Sequence, residues 1–170
     1  MNVILAGGGI GGLTAALWLH RVGTRCRVYE AAQEYNPVGV GINLQPHAVK
    51  VLSQLGLQAA LLDRGVVVEE RAFFSAHGQL IYREPVGRFA GQAYPHLTVL
   101  RAELHDILLG AVIERLGPDA VVMGHRCTGI AQNGVEGFRH IFLTAAASLS
   151  LSLVGIILLT EKPLRGVQPS

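Results

Sequence analysis

The chain opens on an apolar run, Asn2 to Ala6 (NVILA), followed at once by Gly7-Gly8-Gly9-Ile10-Gly11-Gly12. The run predicts a short buried strand, apolar on both faces as the central strands of parallel sheets are. Leu13 to Arg21 (LTAALWLHR) has helical composition, and Gly23 supplies a stop signal. Arg25 to Glu30 (RCRVYE) alternates as a second strand does. Strand, glycine turn, helix and strand within thirty residues predict a βαβ unit, whose crossover is right-handed almost without exception.

Farther along, Tyr35 to Asn43 reads as a glycine-punctuated loop. Pro46 to Leu55 reads as a helix with proline in its first turn and Gly56 as its stop. Residues 66 to 84 predict antiparallel strands turning at Ala76-His77-Gly78. Leu97 to Leu100 is a short strand, and Ala102 to Leu116 has the 3–4 apolar spacing of a helix halted by Gly117-Pro118. Ala120 to Met123 is a last strand, which Arg126 to Ile130 would extend or pair with. The pattern changes after Gly129. From Ile141 to Thr160 (IFLTAAASLSLSLVGIILLT) no residue is charged, and Arg139 and His140 flank one end while Glu161, Lys162 and Arg165 flank the other. Such a length matches a helix crossing roughly 30 Å of hydrocarbon. The expected organisation is therefore an α/β domain over residues 1–130 and a separate tail over 131–170, with a transmembrane helix at 141–160.

Composition narrows the partners. Half of the 170 residues are apolar, 15% are charged and the formal charge is +2. No Lys/Arg-rich run occurs, so no nucleic-acid partner is expected. Cys26 and Cys127 stand far apart with no CxxC or Cys/His cluster, which argues against a disulfide framework or a zinc site. Both read as small buried hydrophobes in a reducing, cytoplasmic compartment. No secretory signal precedes the first strand, so a membrane anchor would come from residues 141–160.

Gly7, Gly9 and Gly12 satisfy G-x-G-x-x-G. In that motif the first glycine permits the tight turn from strand to helix. The second lets the backbone approach a pyrophosphate, and the third lets the helix pack close to the strand. Unpaired N–H groups at the helix start, aided by the helix dipole, receive phosphates. Glu30 ends the second strand at the spacing of a carboxylate that binds ribose hydroxyls. These residues predict a dinucleotide ligand and leave FAD and NAD both open.

Four stretches together resemble the group A flavoprotein hydroxylases, the FAD-dependent aromatic-ring monooxygenases that include salicylate and phenazine hydroxylase types. They are VILAGGGIGGLTAALWLHRVG, the VYE ending in Glu30, Pro37 to Leu57 (PVGVGINLQPHAVKVLSQLGL), and Leu100 to Gly117 (LRAELHDILLGAVIERLG). The resemblance covers about residues 1 to 130 and implies an incomplete Rossmann-like FAD-binding domain. It implies that Gly7, Gly9, Gly12 and Leu13 face the pyrophosphate, with Glu30 at the adenosine ribose and Ala31 also among the cofactor-binding residues. By the same resemblance, Arg101 contacts the phosphate–ribityl region and Cys127 meets adenine through its backbone. It further implies NAD(P)H as electron donor, O₂ as oxidant and an aromatic small molecule as substrate. No catalytic residue is assigned: His47, His77, His96 and His105 are scattered and read as surface or satisfied histidines.

Later signatures of that family, an Asp-Gly and a Gly-Asp motif, have no counterpart, since neither dipeptide occurs in the chain. A truncated flavoprotein with little or no turnover of its own is expected. The tail, GFRHIFLTAAASLSLSLVGIILLTEKPLRG, resembles the last helix and C-terminus of a major facilitator superfamily transporter, which implies a fused reading frame. Two other functions compete. An NAD-binding oxidoreductase fragment would share the glycine motif but leave Pro37 to Leu57 and Arg101 unexplained. An inactive, membrane-tethered nucleotide-binding remnant would show no activity.

Overall fold

Five successive residues without glycine or proline, then a glycine run, place the first strand where the pattern predicts it: β1 is Asn2–Ala6. The computed structural model describes residues 2–35 and 39–129, and their elements belong to one compact unit, Met1–Thr128. Helix α1 (Ile10–Arg21) and strand β2 (Arg25–Tyr29) complete the expected βαβ unit, with β1 and β2 parallel and Val3 opposite Cys26. The chain continues through β3 (Gly41–Leu44), α2 (Pro46–Gln54) and α3 (Gln58–Arg64). Strands β4 (Val66–Val68), β5 (Glu70–Phe74), β6 (Leu80–Pro85) and β7 (His96–Leu100) come next, followed by α4 (Arg101–Leu116) and β8 (Val121–Val122).

The strands form three sheets: parallel β1-β2-β8, antiparallel β3-β7-β4, and the hairpin β5-β6. Between the first two lies the core. Leu13, Ala16 and Leu17 of α1 meet Leu104, Leu108, Ala111 and Val112 of α4 above Val28 of β2, and Val49, Leu52, Leu61, Leu97 and Val99 continue the apolar cluster. Each fully buried leucine contributes roughly 1.5–3 kcal/mol relative to exposure. Helix α4 is thus the hub of the domain. At its far end the Arg115 guanidinium donates to the Leu55 carbonyl at 2.7 Å, and near its start Glu103 pairs with Arg64 of α3.

Several expectations need correction. Strand β1 is not buried on both faces: Ile4 is 71% exposed. Ile4 shares an exposed face with Arg25 and Arg27 of β2, while Val3, Leu5, Cys26 and Val28 turn to the more buried face. Among the described residues β1 also has a partner only on the β2 side. The loop expected over Tyr35 to Asn43 gives way to strand at Gly41, because Gly41 to Leu44 pair with Leu100 to Leu97 of β7. Helix α3 was not expected at all. Within residues 66–84, β4 leaves the hairpin and joins β7, and only β5 and β6 turn about Gly78 as predicted. Arg126 to Gly129 add no strand beside β8. Cys127 is exposed rather than buried, whereas Cys26 is half-buried, and that burial pushes its thiol pKa up.

The apolar stretch 141–160, and with it the transporter-like tail and the expected membrane anchor, lies outside the described residues. Among the described residues no helix is long and apolar enough to cross a membrane.

Candidate cofactor site

The glycine turn is built by its own geometry. Gly7 has φ +107, a conformation that side-chain-bearing residues rarely adopt, and its N–H donates to the Tyr29 carbonyl at 2.7 Å. A methyl on Gly12 would collide with the Gly7 carbonyl oxygen, so the third motif glycine is what lets α1 approach the turn. Gly9 is the N-cap of α1. It brings no side-chain cap, and the first turn holds no acidic residue to neutralise the helix dipole. The Leu13 N–H is the first to be paired, with Gly9 O at 3.0 Å; those of Gly9, Ile10, Gly11 and Gly12 have no partner among the described residues.

Gly8 is occupied instead by the protein itself. Its N–H donates to Glu30 Oε2 at 2.7 Å, while Glu30 Oε1 accepts the Ala32 N–H at 2.9 Å. The Ala32 and Gly8 N–H groups hold the Glu30 carboxyl below the usual carboxylate range, and His105 adds a smaller effect in the same direction. Backbone bonds from Glu30 N to Val122 O (2.9 Å) and from His125 N to Glu30 O (2.7 Å) fix this residue at the end of β2. On the opposite side, the Gly8 carbonyl accepts from the Tyr35 hydroxyl at 3.2 Å and from His105 Nε2 at 2.9 Å.

Of the residues singled out in the sequence, Gly7, Gly9, Gly12 and Glu30 converge on this turn. Leu13 is placed differently from the expectation that it faces a phosphate: its side chain is fully buried in the core and its N–H is taken by Gly9. Ala31 lies exposed beside Glu30. Arg101 begins α4, where its N–H donates to Val40 O at 3.2 Å and its side chain is exposed. Four residues on, His105 touches the glycine turn, so Arg101 projects from the same face of α4 one turn nearer the helix start. Cys127 sits in irregular chain beyond β8.

Two contributors escaped sequence reasoning, Tyr35 and His105. Tyr35 stands in a loop with no motif, and His105 reads as an isolated helix histidine. The usable signal was its i+4 spacing from Arg101. His47 and His77 are exposed, while His96 is buried on β7 and its pKa is lowered by that burial, with a further contribution from the Arg71 charge. A broad cleft elsewhere lies over the paired strands β1 and β2, lined by Ile4, His20, Arg25, Arg27 and Arg115. It includes no residue of the glycine turn.

Comparison with known proteins places this geometry. The family described as FAD binding domain matches residues 1–140. The chain is 45% identical over 140 residues to phenazine 1,6-dicarboxylic acid hydroxylase PhzS of Lysobacter antibioticus, an alignment covering 82% of this chain and 32% of that one. It is 35% identical over 137 residues to 3-amino-4-hydroxybenzoate 2-monooxygenase of Streptomyces cremeus, covering 78% and 33%. Among solved structures it is similar to HpxO of Klebsiella pneumoniae complexed with FAD and uric acid, with a TM-score of 0.63, 27% identity, and coverage of 79% of this chain and 33% of that one. The chain spans about a third of the length of the curated relatives it matches. On this footing the chain belongs to the FAD-binding domain family, and its domain is that of the group A aromatic flavoprotein hydroxylases.

Proposed function

We propose that this domain holds the ADP half of FAD for an NAD(P)H-using monooxygenase that hydroxylates a small aromatic or heterocyclic substrate. The observation that carries this reading is the division of the glycine turn: Gly8 is bonded on both sides by the protein, while the N–H groups from Gly9 to Gly12 have no partner among the described residues. A diphosphate needs such donors, and the unneutralised start of α1 favours its charge. A ribose diol needs an ionised acceptor, which Glu30 supplies. The residues present therefore fit the group.

Each residue then has a defined task. Gly7 makes the turn, Gly12 admits the helix, and Gly9 and Gly11 leave room and donors for phosphate. Leu13 anchors α1 in the core and so fixes where those donors point. Glu30 takes the ribose hydroxyls beside Ala31. Arg101 offers a charge-assisted contact to the phosphate–ribityl region, and Cys127 a backbone contact to adenine. FAD, when bound, supplies the redox chemistry of oxygen insertion. NAD(P)H as electron donor rests on the family resemblance, as does the substrate class, which the relatives' names also support.

Titration of the purified chain with FAD, followed by quenching of flavin fluorescence, tests the reading. A saturable, yellow complex is expected. A chain that binds NADH and ignores FAD would overturn it in favour of a nicotinamide-binding domain.

A further inference from the structure

The sequence motif accounts for the glycines and for Glu30 but not for the two side chains that converge on the Gly8 carbonyl. Tyr35 and His105 come from separate places, a loop after β2 and the second turn of α4, and their ring centroids lie 4.3 Å apart at 58°. Both reach one oxygen: Tyr35 Oη at 3.2 Å and His105 Nε2 at 2.9 Å. A carbonyl oxygen only accepts, so both groups donate and the His105 ring carries a proton on Nε2. Burial, and after it the Glu30 charge, raises the Tyr35 pKa, which keeps the phenol in its donating form. There is no slack at this point, because a methyl on Gly8 would run into the Tyr35 hydroxyl.

We infer that Tyr35 and His105 are positioning residues for the pyrophosphate, acting through the peptide that joins Gly8 to Gly9. That peptide is planar and trans, so its C=O and N–H point in opposite directions. Two donors holding the Gly8 oxygen on the α4 side turn the Gly9 N–H the other way, out of the protein. Glu30 does the same for the preceding peptide: it takes the Gly8 N–H and leaves the Gly7 carbonyl facing Gly12. The two peptide planes are thus set by three side chains from two separated parts of the sequence before any ligand arrives. Preorganised donors bind an anion without the cost of ordering the loop. The inference rests on the FAD-binding reading and adds two residues to it.

The test uses the whole chain with FAD, ADP and adenosine as probes, and compares wild type with Tyr35→Phe, His105→Leu, the double variant and His105→Gln. Each lost neutral hydrogen bond is expected to weaken FAD and ADP by about fivefold, and the double variant by more than tenfold. Adenosine, which has no phosphate, should bind all variants within about twofold of wild type, because the energetics change only at the pyrophosphate. His105→Gln, which carries an amide N–H at the reach of Nε2, should restore most of the loss. Melting of the nucleotide-free proteins identifies any variant that fails to fold, and Tyr35→Phe, which keeps the ring, decides the matter if His105→Leu does. Unchanged ADP affinity in the folded variants overturns the positioning role, as does an equal loss for ADP and adenosine. Failure of the wild type to bind either FAD or ADP is a separate result that removes the cofactor reading and this inference with it.

Discussion

Glu30 and Gly8 are joined across the first parallel strand pair: the carboxylate at the end of β2 accepts the N–H of the middle glycine of the turn at 2.7 Å. One side chain thereby serves the fold and the ligand together. It ties the glycine turn to β2, and on the proposed reading its ionised form serves the ribose. Replacing it with glutamine keeps one carbonyl acceptor but turns an NH₂ group toward a backbone donor. We expect Glu30→Gln to weaken FAD binding by at least about tenfold, given the strength of hydrogen bonds to charged groups. A fluorescence titration showing affinity within twofold of wild type would contradict this.

The same carboxylate makes stability pH-dependent with a definite sign. Its pKa lies below the ordinary 4.5 because the Ala32 and Gly8 N–H groups favour the ionised form. The unfolded chain therefore takes up the proton first as the pH falls. The stabilisation is complete above 4.5 and is lost as the pH drops through the lower native value. Melting temperatures measured across this acid range should fall for wild type and fall less for Glu30→Gln.

His96 adds a second step at higher pH. Burial, and then the charge of Arg71, lowers its pKa from 6.5, so the neutral ring is the native form. Its contribution is present above 6.5 and is lost as the pH falls below that value, where the unfolded chain protonates first. In a melting series from neutral pH downward, His96→Asn should flatten this limb and leave the more acidic Glu30 limb in place.

Two neighbouring glycines should respond oppositely to alanine. Gly12→Ala puts a methyl against the Gly7 carbonyl, and because both partners are backbone the loss should be about 1–3 kcal/mol. Gly11 lies exposed in the first turn of α1 with open space around it. Gly11→Ala should therefore gain about 0.5–1 kcal/mol from helix propensity alone. Urea denaturation of both variants without cofactor measures the contrast, and equal effects would show that Gly12 is not a packing requirement.

Arg101 should separate binding from stability. Its exposed side chain has no hydrogen-bond or ion-pair partner among the described residues, so Arg101→Ala should change the stability of the cofactor-free chain by less than about 0.5 kcal/mol. If the guanidinium reaches the phosphate–ribityl region, FAD affinity should fall about tenfold, as expected for loss of a charge-assisted bond. Unchanged FAD affinity would reduce Arg101 to a solvated residue at a helix start.

What could be read from the sequence was what is local. The βαβ unit, α2 with Pro46 and Gly56, and α4 ending at Gly117 are each encoded in a short window of periodicity and stop signals. Strand β3 has only four residues and owes its existence to β7, more than fifty positions away, so its own composition reads as loop. The exposure of Ile4 depends on whether another layer covers its face of β1 and β2, which no apolar run can report. The site divides in the same way. Gly7, Gly9, Gly12 and Glu30 carry a recognisable spacing, whereas His105 meets Gly8 across 97 positions through the packing of α1 on α4.

The middle glycine of the turn has a consequence for dynamics. Its donor and its acceptor are both consumed within the protein, while the next amide along the chain has no partner among the described residues. Hydrogen exchange should therefore find two adjacent amides with opposite histories. The Gly8 amide should exchange slowly in the free chain and little more slowly with nucleotide, since opening it requires β2 and the turn to separate. The Gly9 amide should exchange fast until a diphosphate covers it. A single boundary between two peptide groups would then mark where the architecture ends and recognition begins.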